Sequence, residues 1–140
     1  MLMRQAEMPY FLAKTDSATY SIEDLERDKT TTWDGVRNAA ALQAIRAMHP
    51  GDEVLIYHSQ GEAAIVGLAR VISKPRPDPK DNKSWVVDVA FVRRLAQQVT
   101  LREIKESHKF DDWSLVRRGR LSTMPVPDNV VAWLKEKKVL

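Results

Sequence analysis

The chain has 140 residues, 44% of them hydrophobic and 29% charged, which is the composition of one globular domain and excludes wholesale disorder. It contains no cysteine, so disulfides, thiolate metal sites and cysteine nucleophiles are excluded. The net charge of +3 is unevenly spread, because residues 93–140 carry 11 basic and 6 acidic side chains while residues 1–92 carry 11 and 13.

The N-terminal half predicts short strands and helices in alternation. Residues 1–8 have no periodicity and are expected to form a loose end before a single domain over residues 9–140. Ser21, with acidic residues after it, is typical of a helix N-cap. The expected elements are a strand at 10–14, a helix at 21–28, a loop from the threonine run at 30–32 to Asp34–Gly35, and a helix at 37–49.

The second half predicts mainly strands, with a capping box at Thr100 and Glu103 that begins a short helix. The expected elements are a hairpin of strands at 53–58 and 63–72, a proline-rich loop at 75–82, a strand at 85–92, a helix at 100–107, a strand at 120–126 and a closing helix from 127. The sum predicts a mixed α+β domain. We expect a small bent β-barrel of about five or six mostly antiparallel strands with peripheral helices.

Familiar catalytic motifs are absent from the sequence, which has no G-x-S-x-G elbow, P-loop, G-x-G-x-x-G or H-E-x-x-H. The three histidines are widely spaced and have no cysteines to complete a metal set. His58 and Ser59 are neighbours on a predicted strand, where side chains point to opposite faces, so they could form a nucleophile–base pair only if the strand ends there. The sequence predicts no catalytic residue, no cofactor and no metal site.

The segment Trp33-Asp34-Gly35-Val36-Arg37-Asn38 combines a stacking surface, hydrogen-bonding groups and a helix start whose free N–H groups bind anions. These groups are of the kinds that bind a nucleotide. The alternative is that Trp33 fills the core and Asp34 caps the helix. We also expect Gly35, like Gly119, to adopt a backbone shape that a side chain would disturb.

Two further clusters carry polar chemistry. Tyr57, His58 and Ser59 end a predicted strand, where side chains can face a pocket mouth or simply end a hairpin. The segment Arg117-Arg118-Gly119-Arg120-Leu121-Ser122 can approach phosphate closely, although such clusters are also common on solvated loops. The basic C-terminal third favours an anionic partner, with nucleic acid ahead of a membrane surface; a solvated basic face is the alternative.

In order and spacing these motifs resemble the EVE domain, a PUA-like family with bacterial members that is related to the YTH and ASCH domains. The resemblance runs from about Pro9 to Trp133. It rests on Tyr10-Phe11-Leu12-Ala13-Lys14, Tyr20-Ser21-Ile22, the whole of Trp33 to Asn38, Gly51 to Ser59, Ile65 to Ala69, Pro77-Asp78-Pro79 and Arg117 to Val126. Phe11 departs from the tryptophan, and Arg76 from the tyrosine, that are usual in the family.

The resemblance implies a pocket for a single base, usually a modified one, flipped out of nucleic acid. It implies that Phe11 and Trp33 form the walls of the pocket, with Tyr57 also in the pocket. Hydrogen bonds to the base would come from Arg37, Asn38, His58 and Ser59, and Leu121 and Ser122 would form the rim. The phosphate contacts would come from Lys14, Arg117, Arg118 and Arg120. The expected protein is a non-catalytic, cytoplasmic binder of DNA or RNA with a modified base, with no membrane partner and a monomeric state favoured. The alternatives are a binder of unmodified single-stranded RNA, an enzyme on a nucleotide-like small molecule, and an interaction module whose pocket is idle.

Overall fold

The computed structural model describes residues 9–140, so the expected loose end at 1–8 lies outside the described residues. Within that range the chain forms seven strands and five helices. They are β1 (Tyr10–Thr15), α1 (Ile22–Asp28), β2 (Thr30–Trp33), α2 (Ala39–Arg46), β3 (Glu53–His58), β4 (Ala64–Val71), β5 (Arg76–Asp78), β6 (Asp81–Thr100), α3 (Leu101–Ser107), α4 (Ser114–Arg117), β7 (Thr123–Val126) and α5 (Asp128–Glu136).

All seven strands belong to one sheet, in the order β2-β6-β4-β3-β1-β7, with β5 paired to β6 off this path. The pairing of β1 with β3 is parallel, and the other pairings among the described strands are antiparallel. The predicted α+β class with mostly antiparallel strands is therefore confirmed. There are seven strands instead of five or six, and the sheet is not closed, because β2 and β7 at its two ends do not pair with each other.

The helix starts predicted from capping residues are confirmed. Ser21 precedes α1 and accepts a hydrogen bond from the Asp24 N–H, while the Asp24 carboxylate accepts one from the Ser21 N–H. Thr100 and Glu103 form the same reciprocal pair before α3. These pairs satisfy N–H groups that the first helical turn leaves free.

Several predicted boundaries are wrong. The threonine run expected in a loop forms strand β2, which pairs with residues 87–90 of β6. The strand expected at 85–92 extends over residues 81–100, because β6 pairs in turn with β5, β2 and β4. Part of the expected proline loop is β5, and the helix expected at 37–49 is the shorter α2.

The core lies between the sheet and the helices, with Leu12 and Leu55 fully buried on adjacent strands and Ile45 on α2. β1 has Phe11, Leu12 and Ala13 all buried, so both of its faces are covered in its central part. The two ends of β1 are only partly buried, at Tyr10 and at Lys14 and Thr15. No helix in residues 9–140 is long and apolar enough to cross a membrane.

Candidate nucleic-acid interface

A cavity of about 330 Å³ opens between the end of β1, the segment before α1, and β2. Its volume lies near the lower end of the roughly 300–1,000 Å³ range of small-molecule pockets. Its lining combines one ammonium, two aromatic rings, four threonines and one carboxylate: Lys14, Thr15, Thr19, Tyr20, Thr31, Thr32, Trp33 and Asp34. Of the residues predicted for the site, Lys14 and Trp33 line this cavity.

Trp33 is the last residue of β2, where it is half-buried and packs against the edge of the core. Its ring is therefore neither a plug inside the core nor a fully exposed surface. Gly35 follows with a φ of 77°, in the left-handed region that favours glycine, and it turns the chain from β2 toward α2. The conformational expectation is confirmed at Gly35. At Gly119 the expectation is wrong, because the φ of that residue is not positive and the space around its Cα is open.

The loop after Trp33 is anchored to the start of β6. The Ser84 hydroxyl donates a hydrogen bond to the Val36 carbonyl over 2.6 Å, and both residues are buried. Arg37 forms an ion pair with Asp81 over 3.1 Å, although 82% of its side chain is exposed. Arg37 thus points its guanidinium at β6, and it does not line the cavity where a hydrogen bond to a base was expected.

Asn38 is the N-cap of α2. Its side-chain oxygen accepts hydrogen bonds from the N–H groups of Ala40 and Ala41, over 2.8 Å and 3.2 Å. The cap is therefore Asn38 and not Asp34. The expectation of free N–H groups for an anion at this helix start is wrong, because the Asn38 oxygen already occupies two of them. The same oxygen is not available to read a base.

Three residues expected at the pocket lie in the core. The exposed fractions of Phe11, Tyr57 and Leu121 are 4%, 2% and 5%. Phe11 is buried because the central part of β1 is covered on both faces, so its ring is absent from the cavity lining. Tyr57 remains connected to the cavity through Lys14, whose ammonium lies 5.6 Å from the centre of the tyrosine ring.

Lys14 connects the cavity to the predicted basic segment. Its backbone N–H donates to the Ser122 carbonyl over 2.8 Å, and its ammonium donates to the Gly119 carbonyl over 2.9 Å. Burial lowers the pKa of this ammonium, because the charged form is less well solvated there than in water. An ammonium has three donors, so two remain after the bond to Gly119.

His58 and Ser59 are not among the residues that line the cavity, although both are next to Thr15, which does line it. The Ser59 N–H donates to the Thr15 carbonyl over 3.0 Å, and its hydroxyl donates to the same carbonyl over 3.3 Å. His58 pairs with Thr15 across the strands, and its Nε2 accepts a hydrogen bond from the Ile22 N–H over 3.0 Å. This bond requires an unprotonated Nε2. Burial lowers the pKa of His58, which the carboxylate of Glu23 opposes.

The segment from Arg117 to Ser122 runs from the end of α4 to the start of β7, next to Lys14. Arg117 contacts Asp112 over 3.4 Å, in an exposed pair that contributes little to stability. Within the described residues, Arg118 and Arg120 form no ion pair, and both are exposed. Three guanidinium groups therefore lie along one exposed segment that is tied to the cavity by Lys14.

The sequence interpretation missed most of the polar lining. Tyr20 is fixed at both ends, because its hydroxyl donates to Asp28 over 2.9 Å and its carbonyl accepts from the Thr15 hydroxyl over 2.7 Å. Burial raises the pKa of the Tyr20 phenol. Threonines 15 and 31 have no sequence signal of their own, since their role depends on β2 lying opposite the end of β1.

Comparison with known proteins identifies the family. Residues 9–137 match the sequence profile of the EVE domain. The chain belongs to the EVE domain family. It is 34% identical to human thymocyte nuclear protein 1, over 91% of this chain and 70% of that protein, and 34% identical to the rat protein, over 82% of this chain and 63% of that one.

Solved structures share the fold of this EVE domain. A hypothetical protein from Leishmania major has a TM-score of 0.85 at 34% identity, covering 94% of this chain and 95% of its own. The human THYN1 protein in complex with DNA that contains 5-methylcytosine has a TM-score of 0.84 at 28% identity, covering 93% and 97%. The YTH domain of Zygosaccharomyces rouxii MRB1, in complex with N6-methyladenosine RNA, has a TM-score of 0.54 at 16% identity, covering 92% and 85%. The last comparison shows the fold alone.

The groups that line the cavity suit the binding of a flat, polar ligand. In residues 9–140 no three histidine, aspartate or glutamate side chains lie close enough to hold a metal ion. The cavity presents an indole, a phenol, an ammonium and a carboxylate to a small ligand. These groups can stack on a flat ring and hydrogen-bond its edge.

Proposed function

We propose that this EVE domain is a non-catalytic module that binds a modified nucleobase, flipped out of DNA or RNA, in the cavity between β1 and β2. The observation that carries the proposal is that Trp33 and Lys14 share this cavity while Lys14 also holds the arginine-rich segment. In this proposal, base recognition in the cavity and phosphate contacts by the arginine-rich segment lie side by side. The similar human protein whose complex contains 5-methylcytosine DNA supports the same class of ligand.

The energetics of base flipping fit the composition of the cavity. Extruding a base costs a few kcal/mol of lost stacking and pairing. An aromatic wall such as Trp33 returns about 1–3 kcal/mol per base, and the remaining donors of Lys14 can bond to acceptor atoms on the base edge. Arg118 and Arg120 would hold flanking phosphates, which fix position without reading sequence.

The test compares Trp33→Ala with Trp33→Phe, a control that keeps an aromatic face. Binding is measured by fluorescence anisotropy on two DNA duplexes that differ only in one 5-methylcytosine. If the indole stacks on the base, Trp33→Ala should weaken binding to the modified duplex by about 5- to 140-fold, equivalent to about 1–3 kcal/mol. Binding to the unmodified duplex should change much less, because phosphate contacts dominate it.

A second set of probes distinguishes our proposal from the alternative that the domain binds unmodified single-stranded RNA. Duplexes with other modified bases and RNA of the same sequence are measured at the same salt concentration. If the wild-type protein prefers unmodified single-stranded RNA to every modified duplex, the alternative replaces our proposal. If Trp33→Ala affects all ligands equally, Trp33 does not read the base.

A further inference from the structure

A second groove lies along α2, which begins just after the loop that contains Gly35 and Arg37. It has a volume of about 680 Å³ and is formed by the outer face of α2 and the start of β6. Small, apolar and amide side chains of α2 line one side, among them Ala39, Leu42 and Gln43. Arg46, Lys83 and Trp85 complete it.

The groove carries positive charge that the described residues do not neutralise. Its lining includes two cations and no carboxylate, and neither Arg46 nor Lys83 forms an ion pair with the rest of residues 9–140. Two nearby arginines behave differently, since Arg37 is paired with Asp81 and Arg76 with Asp88. The carboxylate closest in sequence to Lys83 is therefore already engaged by Arg37.

Trp85 holds Arg46 in place without a carboxylate. The guanidinium carbon of Arg46 lies 4.6 Å from the centre of the half-buried Trp85 ring, which is within the range of a cation–π contact. A guanidinium stacked in this way keeps its planar fork of N–H donors free at the edges. Such a fork binds the paired oxygens of a phosphate.

The groove is close to the base cavity along the chain. Asp34 lines the cavity and Ala39 lines the groove, so the two sites are separated by a span of five residues, which reaches at most about 18 Å. Phosphates are spaced by about 3.4 Å of helix axis along each strand of a duplex. The edge of the groove at Ala39 therefore lies within about five nucleotide spacings of the cavity edge at Asp34.

We propose that this groove is a second phosphate-binding site, which holds the flank of the nucleic acid whose base enters the cavity. The inference rests on the proposed function for the choice of nucleic acid as the anionic partner. Arg46 and Lys83 bind phosphates, and Trp85 is a positioning residue that acts through Arg46. The groove adds affinity on one side of the flipped base and adds no preference for a base.

The experiment measures the salt dependence of binding for the double variant R46Q/K83Q. The matched control is R102Q/K109Q, which removes one arginine in α3 and one lysine just after it; both are exposed and form no ion pair within residues 9–140. The probes are duplexes with a single 5-methylcytosine or cytosine, flanked by eight base pairs or by three base pairs on either side. Circular dichroism spectra confirm that both variants fold.

We expect R46Q/K83Q to reduce the slope of log K against log salt by about 2, one for each lost phosphate contact, and the control to leave it unchanged. The loss of affinity should be the same fold-change for methylated and unmethylated duplexes. This difference in affinity between the wild-type protein and R46Q/K83Q should disappear when the flank on one side of the modified base is shortened to three base pairs. Trp85→Phe should keep the slope of the wild-type protein, and Trp85→Leu should lose part of it.

These measurements can overturn the groove proposal without overturning the proposed base-binding cavity, and the reverse is also possible. An unchanged slope in R46Q/K83Q overturns the groove, even if Trp33→Ala abolishes the preference for the methylated duplex. A reduced slope together with an unaffected preference in Trp33→Ala supports the groove and overturns the cavity. If a glutamate-rich peptide binds the wild-type protein but not R46Q/K83Q, and the DNA slope is unchanged, the groove is a protein-binding surface and our proposal is wrong.

Discussion

Replacing Lys14 by methionine should loosen the arginine-rich segment as well as alter the cavity. Methionine keeps most of the side-chain volume but removes the hydrogen bond to Gly119 and the contact with the Tyr57 ring. A hydrogen bond from a charged donor contributes about 1.5–3 kcal/mol, and an exposed cation–π contact about 0.5–1 kcal/mol. Because Lys14 is only partly buried and the desolvation of its ammonium opposes these gains, we expect a net loss of about 1–1.5 kcal/mol.

The loss at Lys14 is measurable in two ways. For a domain of this size it corresponds to a fall in Tm of about 3–5 °C. Trypsin should also cut faster after Arg117, Arg118 and Arg120, because Gly119 is no longer held by the ammonium. Lys29→Met is the matched control, since Lys29 is exposed and lies away from the segment. If Lys14→Met matches the wild-type protein in both Tm and cleavage rate, the bond to Gly119 contributes nothing in solution and our reasoning fails.

Three further predictions concern stability. Gly35→Ala should lower the free energy of unfolding by about 1–2 kcal/mol because its φ of 77° strains an L-residue, whereas Gly119→Ala should be neutral or slightly stabilising; thermal melts of the two variants check this. Gly67→Ala should lower the free energy of unfolding by about 1–3 kcal/mol, because the new Cβ overlaps the buried Ile22 side chain. A double-mutant cycle with Ile22→Val should show that part of this loss is recovered. The pKa of His58 is lowered in the folded protein, so the unfolded chain binds a proton at this residue more readily than the folded one. The free energy of unfolding should therefore fall as the pH drops below about 6.5. Denaturant titrations should show a smaller fall in His58→Gln.

Local signals in the sequence were sufficient for the helices that begin at a capping box. Ser21 and Thr100 each have a carboxylate three residues later, and the helices after them begin where that chemistry predicts. The hairpin of β3 and β4 was equally predictable, because two apolar runs enclose a turn at Gly61, whose φ is 68°. In these places local chemistry determines local structure.

The strand β2 and the cavity could not be predicted in the same way. The threonines at 30–32 have high β-propensity but no apolar alternation, because β2 lies at the end of the sheet and is only half covered. Its pairing with β6 joins residues more than 50 positions apart. The position of Thr31 opposite Thr15 follows from that long-range pairing. Phe11 was misplaced for a related reason, because only the full sheet shows that both faces of β1 are covered.

Under the proposed function, the placement of Lys14 and Thr15 at the C-terminal end of β1 would let one fold join base recognition to phosphate binding. Backbone hydrogen bonds attach Ser59 to Thr15 and Ser122 to Lys14, so the cavity wall and the arginine-rich segment are fixed to the same buried strand. A ligand does not have to order these groups with respect to each other, which lowers the entropic cost of binding. The lining threonines, in contrast, contribute little to the core. If a base binds in the cavity as proposed, substitutions among them would change which base is accepted while the phosphate contacts stay in place.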